Sequence, residues 1–164
     1  MTARRAGIAL AVLHVLLVGT LGLKLLVDRA RLPRAWVRTL PFDPDLPIRG
    51  RYVRLRLEVP LAGPDGARAG EYRRVRLETV DERLEGFLDD RGPIRVRLDS
   101  APGGLAASLD EPVAFFIPEH SPDPSIRPSG EELWAEVTVP RRGHPRPIRL
   151  AVRRDGTLTP LEIR

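Results

Sequence analysis

Cysteine is absent from the 164 residues, which excludes disulfides, thiolate nucleophiles and cysteine-ligated zinc or iron–sulfur sites together. Lysine is almost absent too. Lys24 is the only one, and it lies inside the most apolar stretch of the chain with no serine near it. A Ser–Lys hydrolase needs a desolvated lysine beside its nucleophile, so that chemistry is excluded. Histidine is confined to His14, His120 and His144, too scattered to form a ligand cluster. The acid pairs Asp43/Asp45, Asp81/Glu82 and Asp89/Asp90 have none of the spacing of a calcium loop. No serine sits in a Gly-x-Ser-x-Gly elbow, and phosphate loops and dinucleotide fingerprints are missing. The expectation is a protein that is not an enzyme and holds neither cofactor nor metal.

Acidic residues are missing from the first 27 positions, where Arg4, Arg5 and Lys24 supply most of the formal net charge of +5. The remaining 137 residues carry 24 basic and 22 acidic groups, close to neutral. Such a domain is a poor general polyanion binder, and nucleic acid is not an expected partner despite a pI near 10.8.

What is present begins with Ile8 to Val27, IALAVLHVLLVGTLGLKLLV. At 1.5 Å per residue this run is roughly 30 Å long, the hydrocarbon thickness of a bilayer. It exceeds the apolar core of a cleavable signal, and Leu25-Leu26-Val27-Asp28-Arg29 offers no small-residue cleavage site. We read residues 1–30 as a transmembrane signal anchor. Lys24 snorkels to the headgroups, and His14 is either a contact to a partner helix or a neutral imidazole carried in the span. Arginines flank both ends, and the short tail before the span favours an extracytoplasmic domain, periplasmic or extracellular.

Residues 31–50 read as a basic, proline-rich juxtamembrane linker, with Trp36 as an interfacial residue. Residues 51–164 read as a β-rich domain. Proline (17) and glycine (14) are spread along the chain and exclude long helices there. Alternation places Val53, Leu55, Leu57 and Val59 on one face, and it recurs at Val75/Leu77, at Ile94/Val96/Leu98 and at Ile148/Leu150/Val152. Val113–Ile117 and Leu133–Val139 read as core strands, with turns at Gly63-Pro64-Asp65-Gly66 and Asp155-Gly156. One short helix is expected over Thr79–Leu88, a capping box at Ser129-Gly130-Glu131-Glu132 and an exposed loop over Pro118–Pro128. The fold class is mainly β: one N-terminal transmembrane helix, then a small β-sandwich or barrel-like domain.

The strands put Arg54, Arg56, Arg74, Arg76, Arg95 and Arg97 on their polar faces. This is a candidate anion-binding face for anionic lipid or glycan. The plainer reading is a solvated sheet surface on which arginines pair with Glu58, Glu78, Asp99 and Glu136.

The first of these strands, IRGRYVRLRLEV, resembles the signature of the GDYXXLXY protein family. Gly50, Tyr52 and Leu55 match its glycine, tyrosine and leucine. Arg51 stands where the family has aspartate, and Leu57 where it has the second tyrosine. FDPDLPIRG, VAFFIPE and LWAEVTVP are similar to the family's lead-in and later strands. The resemblance implies a membrane-tethered domain of unestablished biochemistry that accompanies multi-span membrane proteins. The expected function is therefore an accessory or interaction subunit of a membrane protein complex, with anionic lipid or glycan binding as the alternative. The partners are the membrane and a multi-span protein.

Overall fold

The computed structural model describes residues 3–41, 52–64, 66–102, 104–118, 121–140 and 143–163. Gly50, Arg51, Asp65, His120 and the pair Asp43/Asp45 lie outside them. The chain divides into two units, residues 1–32 and 33–164.

The first unit is one helix, α1 (Ala3–Arg31), with Arg29 and Arg31 in its last turn. It is long and apolar enough to cross a membrane over Arg5–Arg31, and none of that span is buried against protein. Apolar side chains surround its whole circumference, so it has no single face to lay on a core. Two of its interior polar side chains bond to the helix's own backbone. His14 Nδ1 donates to the Leu10 carbonyl (2.8 Å) and Thr20 Oγ1 to the Leu17 carbonyl (2.9 Å).

The second unit is a six-strand mixed β-barrel with extra strands. The barrel comprises β1 (Arg34–Pro41), β2 (Tyr52–Ala62), β3 (Tyr72–Val80), β4 (Arg83–Leu88), β5 (Ile94–Ala101) and β6 (Gly104–Leu109). Around its wall the order is β1-β4-β3-β5-β6-β2, closed by β2 returning to β1. A fork makes the closure. β1 pairs antiparallel with β2 over Arg38–Pro41 and then leaves it. β4 enters the gap parallel to both, at Trp36↔Arg83 on one side and Leu61↔Gly86 on the other. The Trp36 amide is satisfied there by the Glu82 carbonyl at 2.8 Å. The extra strands are β7 (Val113–Phe116) on the edge of β2, β8 (Glu132–Thr138) on β1, β9 (Arg146–Arg154) on β8 and β10 (Thr157–Pro160) on β9.

The alternation read in the sequence is the inside–outside alternation of this wall. Val53, Leu55, Leu57 and Val59 point inward, with Ile94, Val96 and Leu98 across from them, and each is at most 5% exposed. Ala35, Val37, Leu133, Ala135 and Val137 extend the same core beneath β1 and β8. Burial of each large aliphatic side chain contributes about 1.5–3 kcal/mol, and this inner face holds the wall together.

Five expectations are corrected. Residues 31–50 are not linker throughout, because β1 lies within them. Its inward residues are Ala35, Val37 and Thr39, too small and mixed to announce a core strand. Thr79–Leu88 is a hairpin, not a helix: Asp81 (φ 47°) and Glu82 (φ 62°) make a two-residue left-handed turn from β3 to β4. Ser129–Glu132 opens no helix. Gly130 takes φ 88° in a turn, and Glu132 already pairs with Arg153. Val113–Ile117 is an edge strand with Phe116 78% exposed, since an apolar run does not reveal whether both its faces are covered. Within Pro118–Pro128, Ser121 and Pro124 are buried, and Asp123 Oδ1 accepts from the Ser125 amide and hydroxyl. That segment packs as a turn on the domain rather than lying free.

Candidate ligand-binding groove

The fork that closes the barrel also opens its surface. Where β1 parts from β2, a groove of about 470 Å3 is lined by Trp36 and Arg38 of β1 and by Glu58, Pro60 and Leu61 of β2. Arg83 at the start of β4, Pro102 after β5 and Leu105 of β6 line it too. Glu132 and Trp134 of β8 and Arg153 of β9 also belong to its lining. The size is that of a small-ligand site. Both tryptophans of the chain line it.

Strand register explains why these side chains meet. Arg38 stands opposite Trp134 across β1–β8 and opposite Glu58 across β1–β2. Glu132 stands opposite Arg153 across β8–β9. Arg38 therefore reaches two carboxylates, Glu58 and Glu132, each at 3.1 Å. The second oxygen of Glu132 accepts from the Trp134 indole N–H at 3.1 Å, which fixes the ring's orientation. The Arg153 guanidinium lies 5.1 Å from the centre of the Trp134 ring, within the cation–π range.

Beside the groove the same outer face holds an ion pair between a buried carboxylate and an exposed guanidinium. Glu136 is 6% exposed, and the Arg149 Nε–H donates to it at 2.6 Å while the guanidinium lies 5.8 Å from the Trp36 ring. The hydrogen bond to Glu136, and then its charge, hold the Arg149 guanidinium above its ordinary value. A β-bulge at Glu136/Val137 sets this register. It takes Ile148, read in the sequence as an inward residue, to a half-buried position outside the ladder.

The six arginines singled out in the sequence do not form one patch along the sheet. Arg74, Arg76, Arg95 and Arg97 share the outer face of β3 and β5, with Arg74↔Arg95 directly paired. Arg54 and Arg56 are on β2, and β6 with its small Ala106 and Ser108 lies between the two groups. Arg76 is ion-paired with Glu78, Arg97 with Asp99 (3.5 Å) and Arg95 with Asp110 (3.7 Å). Arg74 donates to the Gly92 carbonyl at 3.0 Å. The four acids proposed as partners all hold an arginine. For Glu78 and Asp99 the partner lies two residues away on the same strand, whereas Glu58 and Glu136 pair across strands.

Of the signature positions, Tyr52 and Leu55 are both on β2. Leu55 is in the core, and the Tyr52 ring lies 6.1 Å from that of Phe116 on β7. His144 lies 3.5 Å from Glu111, and among the described residues no three His, Asp or Glu side chains converge as metal ligands. The groove residues escaped the sequence reading because Trp36, Arg38 and Glu132 fall in segments read as linker or cap. Arg153 was placed only on a polar strand face. Comparison of the chain with protein-family models, with curated proteins and with solved structures finds no match in any of the three.

Proposed function

We propose that this chain is a single-pass membrane-anchored accessory subunit whose barrel works at the bilayer surface against a multi-span partner, on the extracytoplasmic side. The observation that carries this reading is the length of the connection. α1 ends at Arg31 and β1 begins at Arg34, so Leu32 and Pro33 alone join them. A two-residue connection leaves no long stalk in the chain, which suits a domain that acts beside a membrane. A helix that is apolar all round provides surface for lipid and for neighbouring helices alike. The resemblance to the GDYXXLXY family agrees with this reading but reaches only Tyr52 and Leu55 among the matching positions described, so it adds little weight.

Gentle-detergent purification of the tagged full-length protein from its own membranes, followed by mass spectrometry, tests the proposal. A stoichiometric multi-span protein is the expected companion, and recovery of the chain alone would overturn the reading. Orientation has its own test: protease added to sealed right-side-out vesicles should cleave a C-terminal tag, and protection would place the barrel inside.

The alternative is a ligand-binding domain for anionic lipid or glycan. A specific observation favours it, namely the groove with its two tryptophans, although that groove is not the arginine face of β3 and β5. If that face serves as the site, replacing Arg95 and Arg97 by glutamine should weaken uptake of the full-length protein into micelles doped with phosphatidylglycerol. Unchanged uptake would remove it from consideration.

A further inference from the structure

We infer that the groove at the β1–β2 fork is a binding site for a saccharide that carries an anionic group, such as a uronate unit. The inference extends the ligand-binding reading to a different face and stands apart from the accessory role. Its ground is the combination of three chemistries in one groove. Trp36 and Trp134 bring large apolar ring surface to an open site, which suits the flat faces of a pyranose. Glu58 and Glu132 are acceptors only, so a ligand lying against them must present donors, as sugar hydroxyls do. Arg83 and Arg153 are the third element. Both line the groove, and among the described residues neither has a carboxylate partner, in contrast to Arg38, which is held by two. A guanidinium of this kind is suited to a carboxylate in forked geometry.

The groove is also built in advance of any ligand. The Glu58–Arg38–Glu132 bridge and the Trp134–Glu132 hydrogen bond hold two acceptors and one ring in fixed positions on adjacent strands. A site on strands with locked side chains loses little freedom when it binds.

The chain supplies its own reporter, because both tryptophans are in the groove. Full-length protein in a polyoxyethylene detergent, whose headgroup is not a saccharide, is titrated with a four-unit oligogalacturonate while indole fluorescence is followed. The neutral probe of the same length is maltotetraose. A saturable change with the acidic oligomer is expected, and binding of the neutral one at least about tenfold weaker, the scale of one lost charge-assisted pair. Arg83→Gln and Arg153→Gln should each weaken the acidic oligomer by about tenfold. Arg95→Gln with Arg97→Gln should leave it unchanged. No saturable change, equal binding of the neutral oligomer, or an equal response to phosphatidylglycerol micelles would each overturn the assignment. Loss of binding on the Arg95/Arg97 replacement but not on the Arg83 or Arg153 one would also overturn it, while leaving a ligand on the β3–β5 face.

Discussion

A carboxylate that is 6% exposed is tolerable only if its charge is met, and Glu136 has one partner that meets it, Arg149 at 2.6 Å. The two ends of the pair are unequal. Glu136→Gln keeps shape and one acceptor but weakens the bond, and should cost about 1–3 kcal/mol in urea unfolding of the full-length protein. Arg149→Met leaves a buried carboxylate without its cation, and the unfolding midpoint should fall further than for Glu136→Gln. If the two variants unfold alike, Glu136 is better solvated than its burial implies. The pair gives no pH dependence near neutrality. Arg149 is held above its ordinary value, so its charge is complete throughout the neutral range and is lost only in strong alkali. At this scale the sequence shows little. Glu136 and Arg149 are legible as outward residues of two strands, but their pairing depends on a bulge that no residue type announces. The same holds for Arg38, whose two carboxylate partners lie 20 and 94 positions away along the chain.

Elements were legible where one period ran long enough. β2 and β5 follow the pattern of their apolar residues nearly position by position, because one face is core and the other water. The β3–β4 hairpin was hidden because its turn is Asp81-Glu82, without the glycine that usually marks a left-handed pair. β6 (GLAASL) and β10 (TLTP) were missed because small or mixed side chains give no signal of their own. The hairpin carries a testable strain. Glu82 holds φ 62°, a conformation that costs a residue with a Cβ about 1–2 kcal/mol. Glu82→Gly should therefore raise the thermal midpoint by a few degrees, and its backbone bond to Trp36 needs no side chain. Gly92 should respond in the opposite sense. A Cβ there would meet the Val75 carbonyl oxygen at 2.5 Å, against backbone that cannot give way. Gly92→Ala should destabilise the domain by about 1–3 kcal/mol, read by the same unfolding measurement. A neutral Gly92→Ala would mean that the β4–β5 turn relaxes freely, against the hydrogen bonds Gly92 makes to Asp89 and receives from Arg74.

At the scale of the whole molecule the question is whether α1 stays. A helix of 29 residues at 1.5 Å each is about 44 Å long, enough for the hydrocarbon core with a turn to spare at each end. Arg5 at one end and Arg29 and Arg31 at the other fit the two headgroup layers, and the last two also complement the negative end of the helix. Cleavage would have to fall close to β1, because only Leu32 and Pro33 precede it. Pro33 is engaged in the domain, since its carbonyl accepts the Val139 amide at 2.9 Å. A peptidase needs an extended, accessible segment, and the stretch from Leu25 to Arg31 is helical with no small-residue site. The chain recovered from membranes should thus retain α1 in its intact mass and resist an alkaline carbonate wash. Removal of residues 3–32 should release the barrel to the soluble fraction. An intact mass that begins near β1 would make α1 a signal, and the barrel would then have to reach the membrane, if at all, through its own surface.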